Sequence, residues 1–420
     1  MKLKLKNKII PLLFIGTPLL LTSCTAKSGS DTAEISFSWW GNEPRHEYTL
    51  KGIEEFQKIR PEIKVTPKYA VWKGYEEAFE KSFYDGSSTD VMQINFDWLS
   101  KYSPDGNGFY DLNEFKDIIE FHNYTLTDLE YGTINGKLNA VPIAFNTIIP
   151  IFNKSVLDKN SFQIPSTWDT LFKYAEILKP QNQYLLGANA KHSFLLAVAW
   201  FEQAHSKKVF ADNHHLNITE SETAEILDFS KQLIKEHVLS PEIQNFTSKS
   251  LSNKKIAGAV AWCNEAGTLA KTFESIGGKG VLGNFITANG ASETGWYLKP
   301  VSMYALKKDS KNPEQAAELI NFLLNNSEMA LLQKCDKGVP ASNKSLTALM
   351  KGQALEELQY TSLMKIRFNR GNINPMLPIM ENKDLNSTFA NLVLEYTNGK
   401  ISKNEAAKEL YEKLLELTKI

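Results

Sequence analysis

The stretch AEISFSWWG (33–41) opens the region that decides the fold. It combines β-branched and aromatic residues and ends in glycine, which predicts a strand that runs into a loop. Apolar residues then recur about every third position from Leu50 to Ile59, just before Pro61, and this pattern predicts a helix. A further strand, helix and strand are predicted at IKVTPKYA (63–70), GYEEAFEKSFYDGSS (74–88) and TDVMQINF (89–96). This alternation predicts a parallel α/β sheet.

The remainder of the chain continues the α/β pattern. Residues 193–237 are predicted to be mostly helical, and KIAGAVAW (255–262) is predicted to be a strand. NGKLNAVPIAFNTIIPIFNKSVLDK (135–159) predicts two strands around Asn146. A chain of 420 residues with 42% hydrophobic and 23% charged residues has ordinary globular composition and is long enough for two domains. We therefore expect two α/β lobes.

The amino terminus has the features of an export signal. The segment 1–8 carries four lysines, and the thirteen residues 9–21 carry no charge, which is short for a permanent membrane-spanning helix. The end of this run, LTSC (21–24), resembles a bacterial lipobox, which implies cleavage after Ser23 and diacylglycerol on Cys24. The alternative is an ordinary signal peptide followed by a chance cysteine. Residues 24–33 are small and polar and are predicted to be a flexible tether.

Charge and cysteine content restrict the partners. The formal net charge of −1 becomes −5 once the four lysines of the signal are removed, so nucleic acid is not an expected partner. Cys263 and Cys335 would be the only cysteines beside Cys24, too few for a disulfide-dependent scaffold, and their pairing cannot be read from sequence. Beyond the signal, no run of 18 apolar residues predicts a membrane span.

No motif predicts catalysis, a metal site or a cofactor. Gly278, Gly280 and Gly283 give the spacing G-x-G-x-x-G, but a helix-like stretch precedes them where a dinucleotide site needs a strand. The chain contains no G-x-S-x-G, H-E-x-x-H or P-loop sequence. No pair of acids can be chosen as a glycosidase dyad, because that assignment depends on a separation in space.

Aromatic and polar residues gather where predicted strands give way to loops. In open parallel sheets, ligands bind beyond the carboxyl ends of the strands. Trp168 and Trp200 are expected to be structural, whereas Trp39 and Trp98 share the strand-end position. The candidate ligand-binding residues are Trp40, Asn42, Glu43, Arg45, Trp72, Asn95, Asp97, Asn146, Trp262, Asn264, Glu265, Trp296 and Tyr297.

Flat rings flanked by amides and carboxylates suit a sugar. A pyranose offers an apolar C–H face for stacking and a rim of hydroxyls that planar amide, carboxylate and guanidinium groups can bond. For any single tryptophan, a place in the core is about as expected as a ligand contact. The number of rings favours an oligosaccharide over a monosaccharide, and Arg45 and His46 leave an acidic sugar possible.

The order of several segments resembles family 1 extracellular solute-binding proteins, the sugar-capturing lipoproteins of ABC importers. The likeness extends over nearly all of the exported chain, and only the whole ordered set is specific. Thr89 stands where the family usually has proline in G-x-x-P-D-V. The matching segments include SWWGNEPRHEYTLKGIEEFQKIRPEIKV (38–65), GSSTDVMQI (86–94), AVPIAFNTIIPIFNKSVLDK (140–159), IPSTWDTL (164–171) and KIAGAVAWCNEAG (255–267).

The resemblance implies a two-lobed fold of the type II periplasmic-binding-protein kind, each lobe a mainly parallel sheet flanked by helices, with the ligand cleft between the lobes. Lobe 1 is expected to comprise residues 34–145 and 304–340, and lobe 2 residues 146–303 and 341–420. The first hinge would lie near Asn146, whose position holds a sugar-contacting residue in maltose-binding proteins.

The predicted function is carbohydrate capture without catalysis. The closed protein would dock, as a monomer, on the transmembrane permease of an ABC importer, while the lipid on Cys24 holds it at the outer face of the bacterial cytoplasmic membrane. Two alternatives remain open. One is a secreted glycoside hydrolase or lyase with an aromatic-lined cleft, and the other is a binding protein for peptides or metal.

Overall fold

The structure, a computed structural model, describes residues 32–211 and 215–418. The predicted signal peptide, Cys24 and most of the predicted tether lie outside these residues. The strands are β1 (Ala33–Trp40), β2 (Ile63–Ala70), β3 (Val91–Ile94), β4 (Thr133–Ile134), β5 (Lys137–Leu138), β6 (Ala140–Asn153), β7 (Gly258–Trp262), β8 (Gly280–Leu282), β9 (Tyr297–Leu306), β10 (Val339–Pro340) and β11 (Asn374–Pro375).

Helices make up most of the remaining regular structure. They are α1 (Glu43–Ile59), α2 (Tyr75–Tyr84), α3 (Trp98–Tyr102), α4 (Leu126–Glu130), α5 (Lys154–Lys159), α6 (Trp168–Leu178), α7 (Ala190–His205), α8 (Glu220–Lys235), α9 (Ala266–Ser275), α10 (Pro313–Asn325), α11 (Ser327–Gln333), α12 (Asn343–Lys351), α13 (Glu357–Asn369), α14 (Lys383–Thr397) and α15 (Lys403–Thr418).

The main sheet has the order β2-β1-β3-β9-β6-β10. β1 pairs in parallel with β2 and β3, whereas β3 with β9 and β9 with β6 are antiparallel. β6 then extends past this sheet, and its second half pairs antiparallel with β7 and β8. β6 is therefore shared between two groups of strands, and β9 accompanies it through the crossing.

The strand pairing corrects two details of the sequence-based expectation. The prediction of a mainly parallel sheet in each lobe holds among β1, β2 and β3, but the ladders that β6 forms with β7 and β8 are antiparallel. Second, the two strands predicted around Asn146 are one continuous strand, β6, and all fourteen of its residues are buried. Burial on both faces removes the alternation of polar and apolar residues that would reveal a single strand.

Local sequence accounts for several element boundaries. Thr167 caps α6 by accepting the backbone N–H of Thr170, as a helix that begins with S-T-W-D predicts. Pro313 occupies the first turn of α10, where its missing N–H costs nothing. Ala406, Leu410 and Leu414 form the buried face of α15, which packs on α8. Within the described residues, no helix is both long and apolar enough to cross a bilayer.

Candidate ligand-binding site

The crossing of β6 and β9 defines the centre of the site. β3 ends at Ile94, opposite Met303, so the first half of β9 runs beyond the carboxyl end of β3. In this region Asn146 of β6 is the cross-strand partner of Lys299 of β9. Since the pairing of β6 with β7 begins only at Ile148, Asn146 and Lys299 lie where the chain passes from one group of strands to the other.

Asn146 and Asn264, two of the predicted site residues, are in direct contact. The Asn146 side-chain amide donates to the Asn264 side-chain oxygen at 2.7 Å, and the Asn264 backbone N–H donates back to Asn146 Oδ1 at 3.4 Å. Asn264 lies in the short 3-10 helix Cys263–Glu265 that directly follows β7. The contact joins the end of β7 to the middle of the crossing strand.

Trp262 and Lys299 stand together beside this pair. The Lys299 ammonium lies 4.7 Å from the centroid of the Trp262 ring, and the ring of His192 meets Trp262 edge-on at a centroid distance of 5.4 Å. Glu265 is at the same strand end, where its carboxylate accepts the Trp262 backbone N–H at 3.1 Å. Trp262 is only partly buried and keeps some ring surface free.

A buried ion network extends from Lys299. The Glu381 carboxylate lies 2.9 Å from the Lys299 ammonium and 2.7 Å from the Lys191 ammonium. Burial alone would raise the pKa of Glu381, but the two lysines outweigh it and lower that pKa below its ordinary value. Burial lowers the pKa of Lys299, and the Glu381 charge partly opposes this effect. Glu381 is therefore an ionised acceptor between two cations.

Asp97, which follows β3, lies near Glu381 and Lys299. Its carboxylate accepts a hydrogen bond from the Asn95 amide at 2.6 Å. Burial raises the pKa of Asp97, and the nearby negative charge of Glu381 raises it further, while Lys299 acts in the opposite direction. We call Lys191, Lys299, Asp97 and Glu381 the charged network.

A cavity of about 310 Å³ is lined by residues that are close in sequence to Asp97 and Glu381. Phe96, the neighbour of Asp97 in sequence, lines one part of it, and segment 375–378, which leads into Glu381, lines another. Tyr131 also lines it and donates its hydroxyl hydrogen to the Leu298 carbonyl at 3.0 Å. The cavity is therefore lined by chain neighbours of both carboxylates of the charged network.

Trp40 and Trp72 belong to an aromatic cluster at the ends of β1 and β2. The Trp40 ring lies 5.0 Å from Trp72, 5.4 Å from Tyr75 and 5.7 Å from Trp98, and Trp40 is only 8% exposed. Trp72 is 40% exposed. The structure thus gives Trp72 the accessible ring, and Trp40 packs beneath it as part of the hydrophobic core.

Asn42, Glu43 and Arg45 have local roles at the start of α1. Asn42 caps the helix, with its side chain accepting the Arg45 N–H, and Glu43 is an exposed acid in the first turn. Arg45 pairs with Asp336 at 2.8 Å, and the Tyr48 hydroxyl donates to the same carboxylate at 2.9 Å. The Arg45 guanidinium therefore has a protein carboxylate as its partner, and its contact with a ligand stays a prediction.

Trp296 and Tyr297, two further predicted site residues, lie in the core. Trp296 is 1% exposed, and its indole N–H donates to the Ile286 carbonyl at 2.9 Å. The Tyr297 hydroxyl donates to Glu202 at 2.6 Å, and both residues are buried. Their polar groups are occupied within the core, so neither has surface to offer a ligand in this arrangement.

Sequence reasoning missed Lys191, His192, Lys299 and Glu381. Lys299 lies in an apolar strand, Lys191 and His192 lie in the first turn of α7, and Glu381 ends the 3-10 helix Pro378–Glu381. A lysine in a strand buried on both faces was the one available signal, since a buried lysine requires a partner. Within the described residues, no group of three His, Cys, Asp or Glu side chains is placed to hold a metal.

The candidate residues around Asn146, Trp262 and Lys299 gather where β6 passes from one group of strands to the other. The family model for bacterial extracellular solute-binding proteins matches residues 51–359. The chain therefore belongs to the bacterial extracellular solute-binding proteins, as its sequence pattern predicted, and it is an exported protein. The family gives no support to the alternative of a glycoside hydrolase or lyase.

Individual relatives agree with this assignment. The chain is 23% identical over 173 residues to the multiple sugar-binding protein of Streptococcus mutans, a match that spans 40% of each protein. A periplasmic solute-binding protein from Pectobacterium atrosepticum has 28% identity and a TM-score of 0.83, covering 92% of this chain and 99% of the other. A periplasmic oligogalacturonide-binding protein from Yersinia enterocolitica, in complex with saturated digalacturonic acid, has 26% identity, a TM-score of 0.81 and the same coverage. These likenesses confirm the predicted two-lobed α/β fold.

Proposed function

We propose that this protein captures an oligosaccharide at the crossing of β6 and β9 and delivers it to an ABC importer. The observation that carries the proposal is the partly exposed Trp262 ring, set between the Asn146–Asn264 pair and the charged network. The ring suits the C–H face of a sugar, and the surrounding amides, ammonium groups and carboxylates suit its hydroxyls. Relatives that bind multiple sugars and oligogalacturonide support the ligand class.

Capture would proceed by closure of the two lobes. Asp97 and Asn95 follow β3, whereas Lys191 and Glu381 belong to α7 and to the segment after β11. A ligand that bonds to both groups stabilises the arrangement in which they are close, which shifts the population toward the closed form. We propose the lobe boundaries 34–145 with 304–340 and 146–303 with 341–420, and a monomeric protein.

The proposed site comprises Trp262, Asn146, Asn264, Glu265, Asn95, Asp97 and Trp72, together with the four residues that the structure adds. Trp262→Ala is expected to weaken sugar binding by about 2 kcal/mol, the size expected for a buried aromatic anchor. Trp200→Ala is the matched control, because Trp200 is also a partly buried tryptophan but stacks on Phe229 at 4.0 Å. Calorimetry measures the affinity of both variants for maltose, for digalacturonic acid and for longer oligomers of each.

Two results would count against the proposal. If neither series binds the parent protein, or if the two tryptophan variants bind equally well, Trp262 is not a ligand platform. If purified protein instead cleaves the oligosaccharides, and replacement of one carboxylate abolishes cleavage, the protein is an enzyme and not a capture protein.

We also propose that Cys24 carries a lipid that anchors the mature protein to the outer face of the cytoplasmic membrane. The charged start, the apolar run and the LTSC sequence support this proposal. When it is expressed in a bacterial host, the Cys24→Ala variant is expected to partition into the aqueous phase instead of the detergent phase. Mass spectrometry is expected to find no acyl chains on it. A variant that still carries acyl chains would disprove the assignment of the anchor to Cys24.

A further inference from the structure

His192 presents an unused hydrogen-bond acceptor beside the site. It lies in the first turn of α7, where its backbone N–H donates to the side chain of Asn189, the helix cap, at 2.9 Å. Its Nδ1 atom is 2.9 Å from the Val260 carbonyl oxygen. A carbonyl can only accept, so we assign the proton to Nδ1, and Nε2 of the neutral ring is then the acceptor.

The surroundings keep this ring neutral. Burial lowers the pKa of His192 to about 3, and the positive charge of Lys191 contributes in the same direction. The ring is therefore uncharged at the pH of ordinary growth, and Nε2 carries a lone pair with no proton. The fixed tautomer makes the ring donate to Val260 and accept on its other side.

Among the described residues, Nε2 has no hydrogen-bond partner, and His192 is only 3% exposed. A buried acceptor without a donor is unfavourable, so a donor is expected from a ligand or a bound water. The neighbours on the site side are the Trp262 ring and the charges of Lys191, Lys299 and Glu381. Trp262, which the His192 ring meets edge-on, is only partly buried.

We propose that His192 Nε2 accepts a hydrogen bond from a hydroxyl of the sugar held at Trp262, and that this bond makes that hydroxyl a requirement for binding. The proposal rests on the proposed function, since it assumes a sugar at Trp262. A site with a buried acceptor discriminates against a ligand that lacks the matching donor, because the acceptor is then left unpaired. A deoxy sugar that lacks this hydroxyl is expected to bind about ten- to a hundredfold more weakly.

Two substitutions test the roles of the two ring nitrogen atoms of His192 separately. His192→Asn keeps a side-chain N–H near the position of Nδ1, so the bond to Val260 persists, but it removes the acceptor at Nε2. His192→Gln places an amide oxygen near Nε2 and gives up the bond to Val260. We expect His192→Asn to bind sugar about tenfold more weakly with an unchanged melting temperature, and His192→Gln to recover most of the affinity.

The experiment combines calorimetry with nitrogen NMR of the parent protein. In the absence of sugar, Nε2 is expected to show the shift of an unprotonated ring nitrogen from pH 5 to 8. Addition of maltose, digalacturonic acid or a longer oligomer of either, whichever binds, should then move that shift in the direction of an accepted hydrogen bond. In a double cycle, the deoxy sugar should bind the parent and His192→Asn equally weakly.

The outcomes distinguish this inference from the proposed function. If no sugar binds the parent protein, the proposed function fails, and the role of His192 fails with it. If a sugar binds but His192→Asn keeps the parent affinity and the Nε2 shift does not move, only the His192 inference is overturned, and a bound water is the partner of Nε2. A proton found on Nε2 in the sugar-free protein would also overturn it.

Discussion

Glu202→Gln is expected to abolish a large part of the pH dependence of stability. Glu202 is 0% exposed; its Oε1 atom accepts the Tyr297 hydroxyl hydrogen at 2.6 Å and the Val209 N–H at 2.9 Å. Burial raises the pKa of Glu202 to about 7, although these two hydrogen bonds act in the opposite direction. The amide oxygen of glutamine can accept the same two bonds, but it does not titrate.

The sign and size of this pH dependence follow from the pKa of Glu202 in the folded and unfolded states. In the unfolded chain the pKa of Glu202 is near 4.5, so between that pH and pH 7 the folded protein holds more protons than the unfolded chain. The stabilising contribution is fully present below about pH 4.5 and is lost as the pH rises through 7. At about 1.4 kcal/mol per pKa unit, the loss amounts to about 3 kcal/mol.

Urea unfolding at pH 5, 6, 7 and 8, monitored by tryptophan fluorescence, measures the difference in the free energy of unfolding between parent and variant. We expect the two proteins to be nearly equal in stability at pH 5 and the Gln variant to be about 3 kcal/mol more stable at pH 8. Glu176→Gln serves as the control, because Glu176 is exposed on α6. A difference between parent and Glu202→Gln that does not change with pH would refute the reasoning.

Three other substitutions test the assignment of residues to core or site. Trp296→Ala should lower the free energy of unfolding by about 3–5 kcal/mol in urea, since it leaves a cavity in the core, and the folded fraction should still bind sugar. Asn146→Ala should weaken sugar binding about tenfold in calorimetry while unfolding changes less, because Asn264 and the ligand lose a polar partner. Lys191→Met removes one of the two cations that lower the pKa of Glu381, so the loss of affinity on acidification should begin at a higher pH than in the parent.

The strands in the first part of the chain could be predicted from the sequence with little ambiguity. The strand IKVTPKYA corresponds to β2 residue for residue, and the predicted strand 89–96 contains β3. These segments are short, flanked by turn residues and separated by amphipathic helices, so local pattern and fold agree. The sequence did not predict that β6 is one continuous strand, because β6 is buried along its whole length and lacks an alternating pattern.

Whether a predicted site residue lies near the crossing of β6 and β9 depends on which end of its strand it occupies. Trp262 is the last residue of β7, and Asp97 comes shortly after β3, so both reach the crossing. Trp296 comes just before β9 and therefore stands at an amino end, where its ring entered the core. The residues of the charged network that were missed are far apart in sequence, and only the fold brings Lys191 and Glu381 to Lys299.

If the protein captures a sugar by closure, as proposed, the charged network offers a way in which binding and closure are coupled through the same atoms. Asp97 follows β3 and Glu381 follows β11, and the charge of Lys299, on β9, lowers the pKa of both carboxyl groups. Each carboxylate is part-buried or buried, and a buried charge is favourable only with enough donors around it. Sugar hydroxyls are such donors, and a sugar that bonds both carboxylates makes contacts available only while the two sides are close. Only contacts that differ between two states shift their populations. We therefore expect the carboxylate oxygens of Asp97 and Glu381 to favour the closed form more than the stacking on Trp262 does.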